Sequence, residues 1–287
     1  MKNTRKLSLA LCALTLGAAL AFPTSAMKAV GDVTTAYGTP TVDGTITADE
    51  WKDAKSFTVD STTAKAWKGS VPADYKATFS TLWDETNLYI SGTIKDSAVT
   101  YSSAGSYNRD AIQLSIDLGQ TFKATTESRA IFYSFGCYEK DAIVQRQESK
   151  NNAVVKDGEN GLIMKTAKTA DGWTFEAALP LAMLKEDCKL KSGKDVTVAA
   201  DTKINVMVCY LDYDIAGSLS NAFGTTLTDE NTKYDHSPQD HGITLTLAAK
   251  PAPVVETTAP STADPIALLA LASIASGAVL VISKKRK

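Results

Sequence analysis

The chain has little of what enzymes usually work with. Its 287 residues include two histidines, His236 and His241. No Gly-x-Ser-x-Gly elbow, no phosphate loop ending in Gly-Lys-Ser/Thr and no His-Glu-x-x-His helix occurs. Serine-elbow hydrolysis, P-loop phosphoryl transfer and zincin proteolysis therefore lack their usual groups. Cysteine is scarce as well, with four residues in all. Cys12 lies in an N-terminal apolar run, which leaves Cys137, Cys188 and Cys209. An odd count permits at most one internal disulfide, and no spacing matches a zinc or redox pair. Cys209 sits in an apolar run and reads as a small buried hydrophobe. Acids are plentiful, so a carboxylate pair for glycoside hydrolysis stays open, although any acidic surface supplies such pairs by chance.

Both ends carry addresses. Lys2, Arg5 and Lys6 precede the uncharged run Leu7 to Ala21, and Phe22-Pro23 breaks it before the small residues Thr24-Ser25-Ala26. This is the layout of a secretory leader cleaved before Met27. Leu11 stands where lipidation of Cys12 would need a small residue. At the other end, Pro265 to Ile282 is apolar and uncharged, and Ser283-Lys284-Lys285-Arg286-Lys287 follows. A run of this kind meets the lower bound of about 18 to 20 residues for a membrane-spanning helix. Its basic cluster would stay on the cytoplasmic side. The segment Ala259 to Asp264, APSTAD, stands just before it. Pro-x-Thr-small, apolar helix and basic tail in this order resemble the cell-wall sorting signals of Gram-positive bacteria. The leading Leu is absent and Ala263 replaces Gly, so sortase cleavage after Thr262 and a plain membrane anchor both stay open. The expected organisation is leader 1–26, folded domain 27–249, Pro/Thr/Ala-rich linker 250–264, and transmembrane helix with basic tail 265–287. The expected location is the outer face of a Gram-positive-type cell.

The formal net charge is −2. Setting aside the three basic residues of the leader and the four of the tail leaves 23 basic against 32 acidic residues, a net of −9. Such a surface does not favour nucleic acid, and a neutral partner suits it better.

The middle of the chain reads as strands and turns. Thr78 to Lys95 gives two β-rich runs around the turn residues Asp84-Glu85-Thr86-Asn87. In Asp110 to Leu118, Ile112, Leu114 and Ile116 alternate with Gln113, Ser115 and Asp117. Ala130 to Tyr138 is aromatic and strand-like, and Leu162 to Lys168 and Trp173 to Ala178 flank the hairpin signal Asp171-Gly172. Lys203 to Asp212 is an apolar strand, and Gly242 to Ala248 alternates strictly. A short helix is expected only over Leu179 to Glu186. Strands at short intervals without long amphipathic helices predict an all-β fold. The expected architecture is an antiparallel β-sandwich of jelly-roll or immunoglobulin-like type.

Four tryptophans are present. Trp51 reads as a core anchor on a turn, Trp83 as packing at a hairpin end, and Trp173 as core or edge. Trp67, in TTAKAWKGSVP, reads as lying in a loop, where it is a candidate for exposure. His236 and His241, with Asp235 or Asp240, are candidate metal ligands, or simply solvated loop side chains.

Several segments together resemble family 9 carbohydrate-binding modules. They are Tyr37 to Lys52, Ala77 to Asp96, Asp110 to Asp117, Asp171 to Pro180, Lys203 to Asp214 and Gly242 to Ala248. The resemblance implies a module that grips a glycan end, or a mono- or disaccharide, between two aromatic rings. The first clamp position falls on Tyr107, three residues before Asp110. The family's sugar-binding Glu falls on Gln113, and the second clamp aromatic on Tyr234. Asn108 and Asn231 are further hydrogen-bond candidates. Tyrosine offers less stacking area than tryptophan. Gln113 keeps an acceptor and adds donors but loses the charge. The resemblance also implies structural calcium held by loop carboxylates and carbonyls.

Three readings follow. In the first, a non-catalytic surface module binds a neutral polysaccharide or oligosaccharide. In the second, the sandwich carries haem, with His236, His241, Met164, Met183 and Met207 as available ligand types and no Cys-x-x-Cys-His attachment. In the third, it is a surface scaffold or adhesion domain without a sugar site.

Overall fold

The computed structural model describes residues 32–100, 109–122, 132–137, 143–147, 154–215, 218–225 and 243–252. The expected leader, most of the expected linker and the apolar C-terminal run lie outside them. Among the described residues no helix is long and apolar enough to cross a membrane. The chain divides into two units, Met1–Lys250 and Pro251–Lys287.

The described part of the first unit is built from strands. They are β1 (Asp32–Tyr37), β2 (Lys55–Asp60), β3 (Ala64–Lys68), β4 (Lys76–Trp83) and β5 (Asn87–Lys95). Then come β6 (Ala111–Leu118), β7 (Phe132–Gly136), β8 (Ile143–Gln147) and β9 (Val154–Lys156). The last are β10 (Ile163–Lys168), β11 (Gly172–Pro180), β12 (Lys203–Asp212), β13 (Asn221–Thr225) and β14 (Ile243–Leu247). A helix, α1 (Leu181–Ser192), separates β11 from β12.

The strands form two layers. One runs β10-β11-β5-β4, with β2 also on β4. The other runs β14-β12-β6-β7-β8-β9, with β13 on β12 and β3 on β13. Strand β1 belongs to both. Its residues Asp32 to Thr35 pair with Thr244 to Leu247 of β14, and Ala36 and Tyr37 pair with Leu82 and Trp83 of β4. Both of these pairings are parallel. The antiparallel expectation holds for the other ladders and is corrected at β1, which no hairpin joins to either partner.

Alternation supplies the core between the layers. Ile112, Leu114 and Ile116 of β6 meet Phe79, Ile90, Ile94 and Phe175 from the facing layer in one buried cluster. The rings of Phe135 and Phe175 stack across the interface with centroids 5.5 Å apart. Each such side chain contributes about 1.5–3 kcal/mol on leaving water.

Three local readings change. Helix α1 runs to Ser192 rather than stopping near Glu186, because Gly193 (φ 72°) supplies the left-handed cap and its N–H bonds Lys189 O at 2.8 Å. Trp67 belongs to β3 rather than a loop, is half-buried, and packs on Ala111, Cys209, Leu211, Tyr213 and Ala222. Cys137, Cys188 and Cys209 are buried and form no disulfide. The other tryptophans behave as read: Trp51 and Trp173 are fully buried, and Trp83 closes β4 with Nε1 donating to Ala248 O at 3.0 Å.

Candidate functional site

The alternation of β6 sends Gln113, Ser115 and Asp117 to the face opposite the core. That face is not an open, solvated one. Gln113 is 4 % exposed, Ser115 2 % and Asp117 0 %. Gln113 lies in register with Ser134 of β7 and Cys209 of β12. Its Nε2 donates to Ser134 Oγ at 2.9 Å, which fixes the amide orientation. Asp117 is used locally, since its carboxylate accepts from Thr121 N, Thr121 Oγ1 and Phe122 N. Burial here is tolerable because the polar groups find partners. Of the five sugar-site candidates, only Gln113 is described. Tyr107, Asn108, Asn231 and Tyr234 lie outside the described residues, as do His236, His241, Asp235 and Asp240. The three candidate methionines, Met164, Met183 and Met207, are all buried.

A second polar constellation sits one step from Gln113. Asp110 immediately precedes β6, and Asp212 ends β12. The β6–β12 register pairs Ala111 with Leu211, which carries Asp110 and Asp212 to the same end of the ladder. Asp96 follows β5 in the facing layer and completes the group. One carboxylate oxygen from each of the three lies within 4.8 Å of the others.

The surroundings hold these acids in place. Asp96 Oδ1 accepts from Ala98 N at 2.8 Å and Oδ2 from the Tyr210 hydroxyl at 2.6 Å. Asp110 accepts from Tyr213 N at 2.7 Å and from Thr100 N. Asp212 Oδ2 accepts from Asn221 Nδ2 at 2.7 Å, whereas its buried Oδ1 has no hydrogen-bond partner. Trp173 Nε1 donates to Tyr210 Oη at 3.3 Å, tying the group to the core. The Tyr75 ring lies edge-on to Phe223, with centroids 4.5 Å apart, and its buried hydroxyl likewise has no partner. Tyr75, Asp96, Tyr210, Asp212 and Asn221 line a cavity of about 160 Å³.

The electrostatics follow from burial and like charge. Burial pushes the Asp110 carboxyl up to about 8; the backbone bonds from Tyr213 and Thr100 oppose this, and the charges of Asp96 and Asp212 add to it. Burial also pushes Asp212 up to about 6, against its bond to Asn221 and with the charges of Asp96, Asp214 and Asp74. Among the described residues no Lys or Arg forms an ion pair with any of the three acids. An oxygen-only donor set of this kind suits a hard cation. Sequence reading missed the group because its members are far apart in the chain and match no local motif. The one available signal is that each acid sits at one end of a strand already legible as such, Asp110 before β6, Asp96 after β5 and Asp212 at the close of β12.

With this geometry established, comparison with known proteins places the chain. Residues 42–244 match the family model described as "Carbohydrate family 9 binding domain-like". The protein belongs to carbohydrate-binding module family 9. It is 32 % identical over 172 residues to endo-1,4-beta-xylanase C of Paenibacillus barcinonensis, a match covering 59 % of this chain and 13 % of that enzyme. It is 26 % identical over 179 residues to endo-1,4-beta-xylanase A of Thermotoga neapolitana, covering 62 % of this chain and 15 % of the enzyme. The shared stretch is thus a small part of each xylanase. Among solved structures, a family 9 module from Caldicellulosiruptor kristjanssonii in complex with glucose has a TM-score of 0.50 at 16 % identity, covering 78 % of this chain and 99 % of the module. The cellotriose complex of such a module from that organism has a TM-score of 0.50 at 18 % identity, covering 80 % of this chain and all of the module. These two share the fold.

Proposed function

We propose that the domain binds a neutral saccharide without cleaving it, at the outer surface of the cell. Family membership over residues 42–244 is the observation that carries this reading. The family 9 modules of like fold that hold glucose and cellotriose support a β-glucan or its chain end as the ligand class. The xylanase relatives make xylan a second polymer to test.

In this reading Tyr107 and Tyr234 stack on the two faces of a sugar ring. Gln113, fixed by Ser134, bonds hydroxyls together with Asn108 and Asn231. The C–H faces of the sugar gain by burial on the rings. Hydroxyl bonds largely exchange with water, so affinity is modest. The leader-like N-terminal run and the apolar C-terminal run support this location, with a membrane helix or sortase cleavage after Thr262 as the proposed anchor.

Affinity electrophoresis against cellulose oligomers, xylan and mixed glucan tests the reading. Retardation by at least one polymer is expected, and Tyr107→Ala should weaken it about tenfold, the equivalent of roughly 1.4 kcal/mol. Migration unaffected by every polymer refutes the function. Retardation unchanged in Tyr107→Ala removes the proposed site.

A further inference from the structure

We propose that Trp67 is a third stacking residue of the saccharide site, and that it fits the site to a neutral oligosaccharide of two or more units rather than to a single sugar. The inference rests on the saccharide reading and deepens it. Trp67 is neither of the two clamp positions that the family resemblance supplies.

The backbone first turns the side chain. Strand β3 pairs with β13 alone among the described strands, so its other side is an edge. Its ladder carries an irregularity: Ala66 faces Phe223 and Lys68 faces Ala222, which leaves Trp67 as the extra residue. A bulge of this kind re-aims a side chain out of simple alternation. The indole is sent to the outer face. There it packs against the small cluster of Ala111, Cys209, Leu211, Tyr213 and Ala222. It also lies against Gly224, where an added β-carbon would meet Trp67 Cη2 at 2.9 Å.

Register then carries the indole toward Gln113. Gly224 faces Cys209 of β12, and Cys209 faces Gln113 of β6. Two strand spacings separate Gly224 from Gln113, about 9.5 Å. That is about the length of a disaccharide. Ala111, which belongs to the cluster that Trp67 packs against, stands two residues before Gln113 on the same face of β6. An indole and a fixed amide are therefore set side by side at a separation that two linked sugar rings bridge.

The chemistry of this surface suits such a ligand. Trp67 Nε1 is buried, so the exposed part of this half-buried side chain is hydrocarbon. Hydrocarbon ring surface takes the C–H face of a sugar by dispersion and burial. Beside it, Gln113 Nε2 donates to Ser134 Oγ at 2.9 Å, which sets the amide for hydroxyls. Ser134, Gln113, Cys209 and Gly224 form one row across the sheet. Ala111, Leu211 and Ala222 form the next, and no residue of either row carries a charge. Such a surface offers an ionic ligand no pairing for the charge it would desolvate, whereas a neutral sugar brings none.

The other three tryptophans, Trp51, Trp83 and Trp173, are buried, at 1 %, 5 % and 0 % exposure. Trp67 is thus the indole that solvent reaches, and its fluorescence isolates the proposed contact.

Two measurements on the full chain test this, with glucose, cellotriose, xylose and xylotriose as probes. Acrylamide quenching of the native emission reads the exposed indole. A bound trisaccharide should shield Trp67 from the quencher and move its emission to shorter wavelength, and the monosaccharides should leave both unchanged. Isothermal titration should find a trisaccharide at least about tenfold tighter than its monosaccharide, roughly 1.4 kcal/mol. Trp67→Leu, which keeps apolar packing without an aromatic face, should erase that difference and leave monosaccharide affinity within about twofold. Trp67→Phe should restore part of it. Monosaccharide binding with no gain for either trisaccharide overturns the inference and leaves the saccharide reading standing. So does a gain that survives intact in Trp67→Leu. Silence toward all four sugars overturns the inference, and silence toward the polymers as well overturns the saccharide reading with it. Emission that changes with protein concentration alone assigns the indole to contact between copies and overturns the inference too. If Trp67→Leu fails to fold, quenching of the wild-type chain decides: equal quenching with and without bound trisaccharide overturns the proposal.

Discussion

Gly92 offers a sharp test of how the core is packed. It lies in β5 directly between Phe79 of β4 and Phe175 of β11 in the register. Both phenylalanines are fully buried, and Phe175 is also stacked on Phe135 of the facing layer. A β-carbon on residue 92 would fall well inside contact distance of Phe175 Cε1, with Cδ1 and Cζ each at 3.0 Å. The ring cannot swing away freely, because Phe79, Phe135 and Trp173 surround it. Overpacking of this kind costs about 1–3 kcal/mol. Alanine returns about 0.4–1 kcal/mol by restricting the unfolded chain. Gly92→Ala should therefore destabilise the domain by about 1–2 kcal/mol, a fall of roughly 2–8 °C in midpoint for a domain of this size. Urea titration should show a lower midpoint with unchanged slope. The double mutant identifies the cause. In a Phe175→Leu background the clash is gone, so Gly92→Ala should be neutral or slightly stabilising. Equal costs of Gly92→Ala in both backgrounds would refute the packing argument.

Other expectations follow from the same structure. Trp51 Nε1 donates to the buried Glu176 carboxylate at 2.8 Å, so Trp51→Phe should cost about 1.5–3 kcal/mol for the lost charge-assisted bond, read by chemical denaturation. Asp84 feels burial, which raises its pKa, but bonds from Tyr89, Thr86 N, Asn87 N and Thr39 outweigh it and hold the group below 3.8. A depressed pKa means stability that is fully present above the unfolded value and lost as pH falls through the folded one. Asp84→Asn should accordingly flatten the acid limb of the stability curve below about pH 4, and an unchanged limb would contradict this. Burial pushes the Cys188 thiol up to about 12. Cys188 should resist thiol reagents in the native state and react once the chain is unfolded in denaturant, as a colorimetric thiol assay would show.

How far the sequence could be read varies with the kind of evidence each element offers. Strand β6 was legible because Ile112, Leu114 and Ile116 alternate with polar residues, and the core takes those three. The state of its other face was not legible. Alternation says which side a residue points to, and burial depends on what else covers that side. Strand β12 is legible between Lys203 and Asp212 because Ile204 and the run Val206 to Leu211 are apolar, with Asn205 the one polar residue between them. Strand β3, AKAWK, has no such run, and its strand character comes from pairing with β13 some 150 residues later. The parallel pairings of β1 have no local signature at all. Of the sugar-site candidates, Gln113 came from alternation together with the family resemblance. The Asp96–Asp110–Asp212 group came from register and layer packing, which a single sequence does not print.

The position of β14 has a mechanical consequence. It is the last strand among the described residues, yet it is not an edge: β1 lies on one side and β12 on the other. A pull on the chain beyond Lys250 acts along this strand and loads both ladders in shear, so their hydrogen bonds must fail together rather than unzip one at a time. A domain gripped at a distant polymer and tugged from that end would thus resist detachment of its own final strand, and force spectroscopy from the C-terminal side should record a single high rupture peak.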